Sequence, residues 1–168
     1  MKPIVSIIMG STSDLPIMEK AAKVMDEFAI PFEMHALSAH RTPDEVAEFA
    51  QHAEERGIQV IIAAAGMAAH LAGVIASMTT LPVIGVPIKS TIEGMDALLA
   101  MVQMPPGIPV ATVAINGAMN AGLLAVQILA LSDPKINEQF KAYKNNLKQK
   151  IVKANEELKE IKFAYKTN

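Results

Sequence analysis

Near its start the chain reads Ile4-Val5-Ser6-Ile7-Ile8-Met9-Gly10-Ser11-Thr12-Ser13-Asp14, in which an apolar run is followed directly by glycine, hydroxyls and a carboxylate. The same change recurs twice. Residues 32–37 are followed by Ser38-Ala39-His40-Arg41, and residues 60–65 by Gly66-Met67-Ala68-Ala69-His70. If the three runs are neighbouring parallel strands, the polar segments share one edge of the sheet. Open α/β sheets bind small molecules at that edge, so the sequence predicts a ligand site there.

Short apolar runs alternate with helix-like stretches along the whole chain. Most of the runs are apolar throughout, which is typical of parallel strands covered on both faces. The run 32–37 contains Glu33 and His35 and therefore suits an edge strand. The alternation predicts an α/β fold, a three-layer αβα sandwich with right-handed crossovers. The predicted strands are 4–9, 32–37, 58–64, 82–86 and 110–115, and the predicted helices are 15–29, 43–56, 68–78, 94–103 and 117–131.

The last segment differs, because a single apolar stripe continues through it at helical spacing. The stripe consists of Ile136, Phe140, Tyr143, Leu147, Ile151, Ala154, Leu158 and Ile161. A helix of about 28 residues is about 42 Å long and would extend beyond a domain of this size. We therefore expect residues 1–133 to form the catalytic α/β part and 134–168 a helix, within the same single domain, that packs on neighbouring subunits. The alternative is a helix folded back over its own sheet.

Composition excludes several classes of function. The chain has 168 residues and no cysteine, which rules out disulfides, thiolate catalysis and zinc–thiolate sites. The net charge is −2 without a basic run, so we expect no nucleic-acid partner. No signal peptide precedes the first strand and no apolar stretch is long enough to span a membrane, which predicts a cytoplasmic protein without a membrane partner. Charged residues make up only 19%, which indicates surface buried in a homo-oligomer.

The first polar segment leads from a strand into the start of a helix, where free N–H groups favour anions. Ser11 and Ser13 add hydroxyl donors, and Asp14 can hold ribose hydroxyls. The alternative is that Ser13 or Asp14 only caps the helix. The segment is neither a Walker A loop nor a GxGxxG motif, which argues against ATP and dinucleotides.

The second segment places arginine beside histidine. Arg41 can bind phosphate with its forked donors, and His40 can exchange protons near neutral pH. The alternative is a solvated surface loop. Directly after it, Thr42-Pro43-Asp44-Glu45 predicts a capping box.

The third segment is small and apolar apart from His70. Such a loop can close over a flat ring and exclude water, although it can equally be a tight helix start in which His70 has a structural partner. A fourth loop, residues 87–94, is expected at the rim of the site. Its Lys89 is expected to be solvated, with an anion-binding role as the alternative. The histidines lack metal-ligand spacing, so no metal is expected.

Together these segments resemble a known family, the class I N5-carboxyaminoimidazole ribonucleotide mutases, catalytic subunits of phosphoribosylaminoimidazole carboxylase in purine biosynthesis. The similar segments are 9–14, 38–43, 65–71, 82–87 and 102–111. The resemblance implies a flavodoxin-like fold with a five-stranded parallel sheet and a long C-terminal helix that helps to build an octamer. It implies conversion of N5-carboxyaminoimidazole ribonucleotide to 4-carboxy-5-aminoimidazole ribonucleotide without cofactor, and functional coupling to the ATP-dependent synthase that makes the substrate.

The resemblance also implies residue roles. His40 is the general acid/base, and the substrate is a small ribonucleotide. Residues expected to bind it are Ser11, Asp14 and Arg41, with Ser13, Ser38 and Ala39 nearby, and the loop residues Gly66, Met67, Ala68, His70 and Leu71 around the ring. Met67 stands where many members have a second glycine, and Ala72 where many have proline.

Two other functions remain open from the sequence. A direct carboxylase would use dissolved carbon dioxide and the unmodified aminoimidazole ribonucleotide. Members of that related class tend to carry lysine after Ser-Ala-His, so Arg41 favours the mutase. A non-catalytic flavodoxin-like binding module shares the fold, but a signalling receiver would need an acidic cluster, and only Asp14 is available.

Overall fold

A computed structural model describes residues 2–168 as one five-stranded, all-parallel sheet in the strand order β2-β1-β3-β4-β5. The strands are β1 (Val5–Met9), β2 (Phe32–Ala36), β3 (Val60–Gly66), β4 (Val83–Ile88) and β5 (Ala111–Thr112). The mixed run with Glu33 and His35 lies at the sheet edge, as predicted. The chain builds the sheet outward in one direction from β1 to β2 and in the other from β3 to β5. The loops that follow β1 and β3 therefore lie side by side at the carboxyl edge of the sheet.

Helices cover both faces of the sheet and complete the three predicted layers. They are α1 (Leu15–Glu27), α2 (Pro43–His52), α3 (Leu71–Ala76), α4 (Met95–Val102), α5 (Ala118–Leu129) and α6 (Pro134–Glu160). Alternate residues of β1 serve opposite cores, since Ile7 packs with α1 and α5 whereas Ile8 packs with α2 and α3. Two apolar cores therefore fix the sheet from both sides and hold its carboxyl edge in place.

The predicted fifth strand is much shorter than expected. Only Ala111 and Thr112 pair regularly with β4. The chain still runs beside β4, because Val113 N–H donates to Gly85 and Asn116 N–H donates to Pro87. These bonds are irregular, so the strand ends early while the backbone remains at the sheet edge.

The long helix is present but ends at Glu160, so residues 161–168 of the predicted helix are not helical. The two halves of the helix differ in environment. Asp133 caps it by accepting from the backbone N–H of Lys135 at 2.8 Å. The first turns pack on the chain's own core, where Phe28 meets Phe140 and Tyr143 at ring-centroid distances of 6.2 and 5.7 Å. The second half does not: Leu147, Ile151, Val152 and Leu158 are all exposed, Ile151 to 72%.

None of the helices formed by residues 2–168 has both the length and the apolar character needed to cross a bilayer.

Candidate active site

A cavity of about 700 Å³ lies at the carboxyl edge of the sheet, where the three predicted segments meet. All predicted site residues except His70 line the cavity. His70 is hydrogen-bonded to His40, which does line the cavity. The lining includes Ser11, Ser13, Asp14, Ser38, Ala39, His40, Arg41, Gly66, Met67, Ala68 and Leu71. The structure therefore brings together the residues that the sequence placed at one sheet edge.

The serine segment forms a single 3₁₀ turn, Thr12–Asp14, ahead of α1. The Ser11 hydroxyl oxygen accepts from the backbone N–H of Ser13 at 3.3 Å, and the two serine hydroxyls lie 3.0 Å apart. These bonds hold both hydroxyls at the mouth of the cavity. Ser13 is exposed and Ser11 half-buried, and their hydroxyls are close enough to bind the same anionic group.

Asp14 is buried and does not cap α1 through its side chain, so the capping alternative is wrong for this residue. Burial raises the pKa of the Asp14 carboxyl above its ordinary value, and hydrogen bonds from the Ser13 side chain and the Ser11 backbone oppose that rise only in part. A buried carboxylate with few donors around it is costly unless a ligand supplies more of them. Ribose hydroxyls can supply those donors.

The loop after β2 is braced by Thr42, but not as a capping box. The Thr42 hydroxyl accepts from the Ser38 N–H at 2.9 Å and lies 3.2 Å from the Ser38 carbonyl oxygen, and it makes no capping bond to α2. The predicted capping box is therefore wrong, because Thr42 uses its hydroxyl to close the loop that carries His40 and Arg41.

Arg41 is held in place before any ligand arrives. Its Nη2 donates to the Gly10 carbonyl at 2.7 Å, and its Nε donates to the Ser38 hydroxyl at 3.3 Å. The guanidinium thus crosses from the end of β2 to the end of β1. Its remaining N–H groups stay available, and a planar fork of this kind suits a phosphate.

His40 and His70 form a hydrogen bond across the site. His40 Nε2 lies 2.8 Å from His70 Nδ1, and the rings meet edge to face with centroids 4.9 Å apart. One of these nitrogens must carry the proton while the other accepts it. The pair therefore holds a proton between two imidazoles at the cavity wall, which is an arrangement suited to proton transfer.

The loop after β3 approaches β4 closely. A Cβ on Gly66 would lie only 3.3 Å from the Ile88 carbonyl oxygen, so glycine eases this close approach. Met67 follows with a left-handed φ of +55°, and its side chain is 57% exposed. Ala72, the other departure from the family pattern, is buried in the core against the β4 position of Gly85 and lies away from the cavity.

Sequence reasoning gave no weight to Asn116 and little to Lys89 and Ser90, which also line the cavity. Asn116 accepts from the Lys89 N–H through Oδ1 at 2.9 Å and has a left-handed φ of +58°. Applying the strand-end rule to β5 would have identified it, since the predicted fifth strand ends at residue 115.

The two remaining histidines lie outside the site. His35 Nε2 is 3.4 Å from Glu33, and His52 pairs with Glu48 and Glu55 on the surface of α2. Across residues 2–168, no cluster of three or more His, Asp or Glu side chains has metal-site geometry.

The fold and the site define a flavodoxin-like α/β protein whose sheet edge is built for a small anionic ligand beside a histidine pair. The chain belongs to the AIR carboxylase family, whose family model matches residues 4–150. It is 56% identical to a protein of Pyrococcus horikoshii named N5-carboxyaminoimidazole ribonucleotide mutase, a match that covers 95% of this chain and 91% of the relative. This family membership confirms the resemblance described from the sequence.

Two further comparisons extend the match. The phosphoribosylaminoimidazole carboxylase of Schizosaccharomyces pombe is 51% identical over 95% of this chain, which covers only 29% of that longer protein. The crystal structure of Treponema denticola PurE has a TM-score of 0.86 at 32% identity, with 94% of this chain and 99% of that one aligned. The fold class predicted from the sequence is therefore confirmed.

Proposed function

We propose that this protein is a mutase that converts N5-carboxyaminoimidazole ribonucleotide to 4-carboxy-5-aminoimidazole ribonucleotide in de novo purine (IMP) biosynthesis. The observation that carries the proposal is the bonded pair of His40 and His70 at the wall of a cavity shared with Arg41. The mutase name of the Pyrococcus horikoshii relative, which aligns along nearly its whole length, supports the same reaction.

The ribonucleotide end of the substrate is assigned to the first two loops. Arg41 and the hydroxyls of Ser11, Ser13 and Ser38 bind the phosphate, because they present donors on one side of the cavity. Asp14 accepts from the ribose hydroxyls, which gives its buried carboxylate the donors that the protein does not provide. Binding energy at this end then holds the ring in place for the reaction.

The reaction breaks the bond between the exocyclic nitrogen and the carboxyl carbon and forms a bond between that carbon and ring carbon 4, with a net transfer of one proton from carbon 4 to the nitrogen. The carboxyl group leaves the exocyclic nitrogen as carbon dioxide, and that nitrogen takes up a proton. The ring is an enamine, so its carbon 4 attacks the carbon dioxide and then loses its own hydrogen as a proton. His40 moves the proton at carbon 4, a role worth typically about 10²–10⁴-fold in rate.

The small loop after β3 retains the carbon dioxide. Ala39, Met67 and Ala68 line the cavity, and His70 is bonded to His40 beside it. We assign Ala39 to one side of the ring, the segment 66–71 to the other, and His70 to the neighbourhood of the carboxylate. A mostly apolar wall on this side keeps the reactants adjacent and excludes water once the substrate fills the cavity. This reaction sequence uses no cofactor.

The direct test is to incubate the pure protein with the carboxyamino ribonucleotide, without ATP, metal or other additive, and to follow the ring-carboxylated product. We expect turnover by the wild type, and His40→Asn should abolish it while ribonucleotide binding is retained. His52→Asn is the matched control, since His52 lies on the exposed face of α2. Near-normal turnover by His40→Asn would exclude His40 as the proton carrier.

The same assay addresses the alternatives. A direct carboxylase would consume unmodified aminoimidazole ribonucleotide and would slow sharply at low bicarbonate. A mutase would convert the carboxyamino substrate at the same rate with or without bicarbonate. A non-catalytic binding module would convert neither substrate.

The assembly is proposed to be a homo-oligomer, and specifically an octamer, in which residues 134–168 remain part of the single domain and pack on neighbouring subunits. The exposed apolar side chains of the second half of α6 support this proposal, as does the low content of charged residues. We place the enzyme in the cytoplasm. Functional coupling to an ATP-dependent synthase is supported by the much longer Schizosaccharomyces pombe relative, most of which lies outside the match.

A further inference from the structure

Lys89 stands at the carboxyl end of β4 with its backbone fixed on both sides. Its N–H donates to Asn116 Oδ1 at 2.9 Å. On the other side the chain folds back so tightly that a Cβ on Gly94 would lie 3.1 Å from the Lys89 Cα. Lys89 also lines the cavity, so its backbone is held in place while its long side chain can carry the ammonium group to a ligand in the site.

The segment after Lys89 has an unusual backbone. Ile92, Glu93 and Gly94 are all left-handed, with φ values of +45°, +56° and +87°. Such conformations are unfavourable for non-glycine residues, and most of all for a β-branched one such as Ile92. This turn brings the Glu93 carboxylate back onto the Lys89 ammonium, where the two form an ion pair.

The ion pair is open to solvent. The Lys89 side chain is 51% exposed and the Glu93 side chain 79%. Exposed pairs of this kind contribute little to stability because water screens them. An anionic ligand in the cavity can therefore replace Glu93 as the partner of Lys89 at little cost.

The sheet order separates Lys89 from the phosphate-binding cation. Arg41 is anchored on Gly10 at the end of β1, and Lys89 follows β4, two strands further along the sheet. Two strand spacings amount to about 10 Å. The loop of Gly66 lies between them at the end of β3, so the site has one cation at each end and an apolar wall in the middle.

We propose that Lys89 binds the carboxylate of the substrate and product, and that Glu93 occupies the lysine until the ligand arrives. This inference rests on the proposed function, because that reaction supplies a ligand with a phosphate at one end and a carboxylate at the other. Lys89 is then a specificity-determining residue: it distinguishes carboxylated from uncarboxylated ribonucleotide.

The test compares Lys89→Gln with Glu93→Gln. For Lys89→Gln we expect the KM for the carboxyamino ribonucleotide to rise about fivefold to tenfold, the loss of one charge-assisted hydrogen bond at a partly exposed site. Calorimetric binding of the uncarboxylated aminoimidazole ribonucleotide should be unchanged. Glu93→Gln should lower the KM, because it frees Lys89. Lys23→Gln, which breaks the exposed pair with Glu19 on α1, is the matched control and should change neither value.

The opposite signs make the test decisive. If Lys89 and Glu93 only stabilise the loop, both variants break the same ion pair and shift the KM in the same direction, which overturns the proposal. An equal loss for both ribonucleotides would assign Lys89 to the phosphate and also overturns it. Binding of the ring-carboxylated product is measured separately by calorimetry, so an absence of turnover in the wild type contradicts the proposed function without deciding the role of Lys89.

Discussion

Replacing Met67 with glycine tests how the loop after β3 is built. Met67 has a φ of +55°, a conformation that favours glycine, and its side chain is 57% exposed. The left-handed conformation costs a non-glycine residue about 1–2 kcal/mol. Glycine removes this strain but loses more conformational entropy on folding, which offsets about 0.5–1 kcal/mol of the gain. We therefore expect Met67→Gly to raise the free energy of unfolding by about 0.5–1 kcal/mol.

The effect on catalysis has the opposite sign. Met67 restricts a loop that lines the cavity, and glycine makes that loop more mobile in the free enzyme. Ordering it around the substrate then costs about 0.5–1 kcal/mol more, which corresponds to a KM about twofold to fivefold higher. The kcat should stay the same because no reacting group is altered.

Ala29→Gly is the matched control. Ala29 has a φ of +53° just after α1, where the N–H of Ile30 donates to the Met25 carbonyl and the N–H of Ala29 donates to the Asp26 carbonyl. This is a Schellman motif with alanine where glycine is preferred, far from the cavity. Ala29→Gly should raise the free energy of unfolding by a similar amount and leave the KM unchanged.

The measurements are thermal unfolding and steady-state kinetics on the three proteins. A gain of 0.5–1 kcal/mol corresponds to a Tm higher by about 1–4 °C for a chain of this length. A lower Tm for Met67→Gly, together with a higher one for Ala29→Gly, would show that contacts of the methionine side chain outweigh the strain. An unchanged KM in Met67→Gly would refute the assignment of Met67 to loop closure.

Three more predictions follow from buried or exposed groups. Burial raises the pKa of Asp14 in the folded state, so its ionised form destabilises the fold. Asp14→Asn should therefore unfold at a higher urea concentration at pH 7, and this gain in stability should vanish below about pH 3.9. The same variant should lose ribonucleotide binding. Burial alone would raise the pKa of Glu33, but the hydrogen bond from the fully buried Ser6, at 2.6 Å, and the charge of Arg56 hold it below its ordinary value. Ser6→Ala should therefore cost about 1.5–3 kcal/mol in urea unfolding at neutral pH, and less in acid, once the pH has fallen through the lowered pKa of Glu33; an equal cost at neutral and acidic pH would contradict the charge-assisted bond. On the second half of α6, Ile151→Glu should reduce the particle mass measured by light scattering, and an unchanged mass would exclude that face from a subunit interface.

The sheet was predictable because its three central strands carry almost entirely apolar runs. β1 and β4 are buried along their full length and β3 along all but Gly66, and their sequences contain little that fits any other environment. β5 was not predictable in length, because only Ala111 and Thr112 pair regularly and the rest of the run is held by isolated bonds. Its apolar residues indicate that the segment lies against the sheet, but they do not indicate how many residues form ladder hydrogen bonds.

The location of the site followed from the strand ends, whereas its contacts did not. The bond between His40 and His70 depends on β1 lying between β2 and β3, since the two loops reach toward each other across the end of β1. Nothing in the sequence fixes that order before the strands pair. The ion pair of Lys89 with Glu93 also depends on a backbone conformation that propensity would not assign to Glu93.

The local rules of structure fail mainly around the cavity, and this distribution supports the assignment of the site. Among the described residues, five non-glycine residues have a positive φ, and four of them follow β3, β4 or β5 at the carboxyl edge: Met67, Ile92, Glu93 and Asn116. Two polar side chains there also depart from the usual capping role: Asp14 and Thr42 lie at N-cap positions but make no side-chain capping bond. A fold tolerates such departures where the chain must place side chains for a ligand, and the two cores beneath the sheet supply the stability that offsets them. The strained turn that holds Glu93 against Lys89 belongs to this same set, which is why we assign it to ligand binding and not to folding.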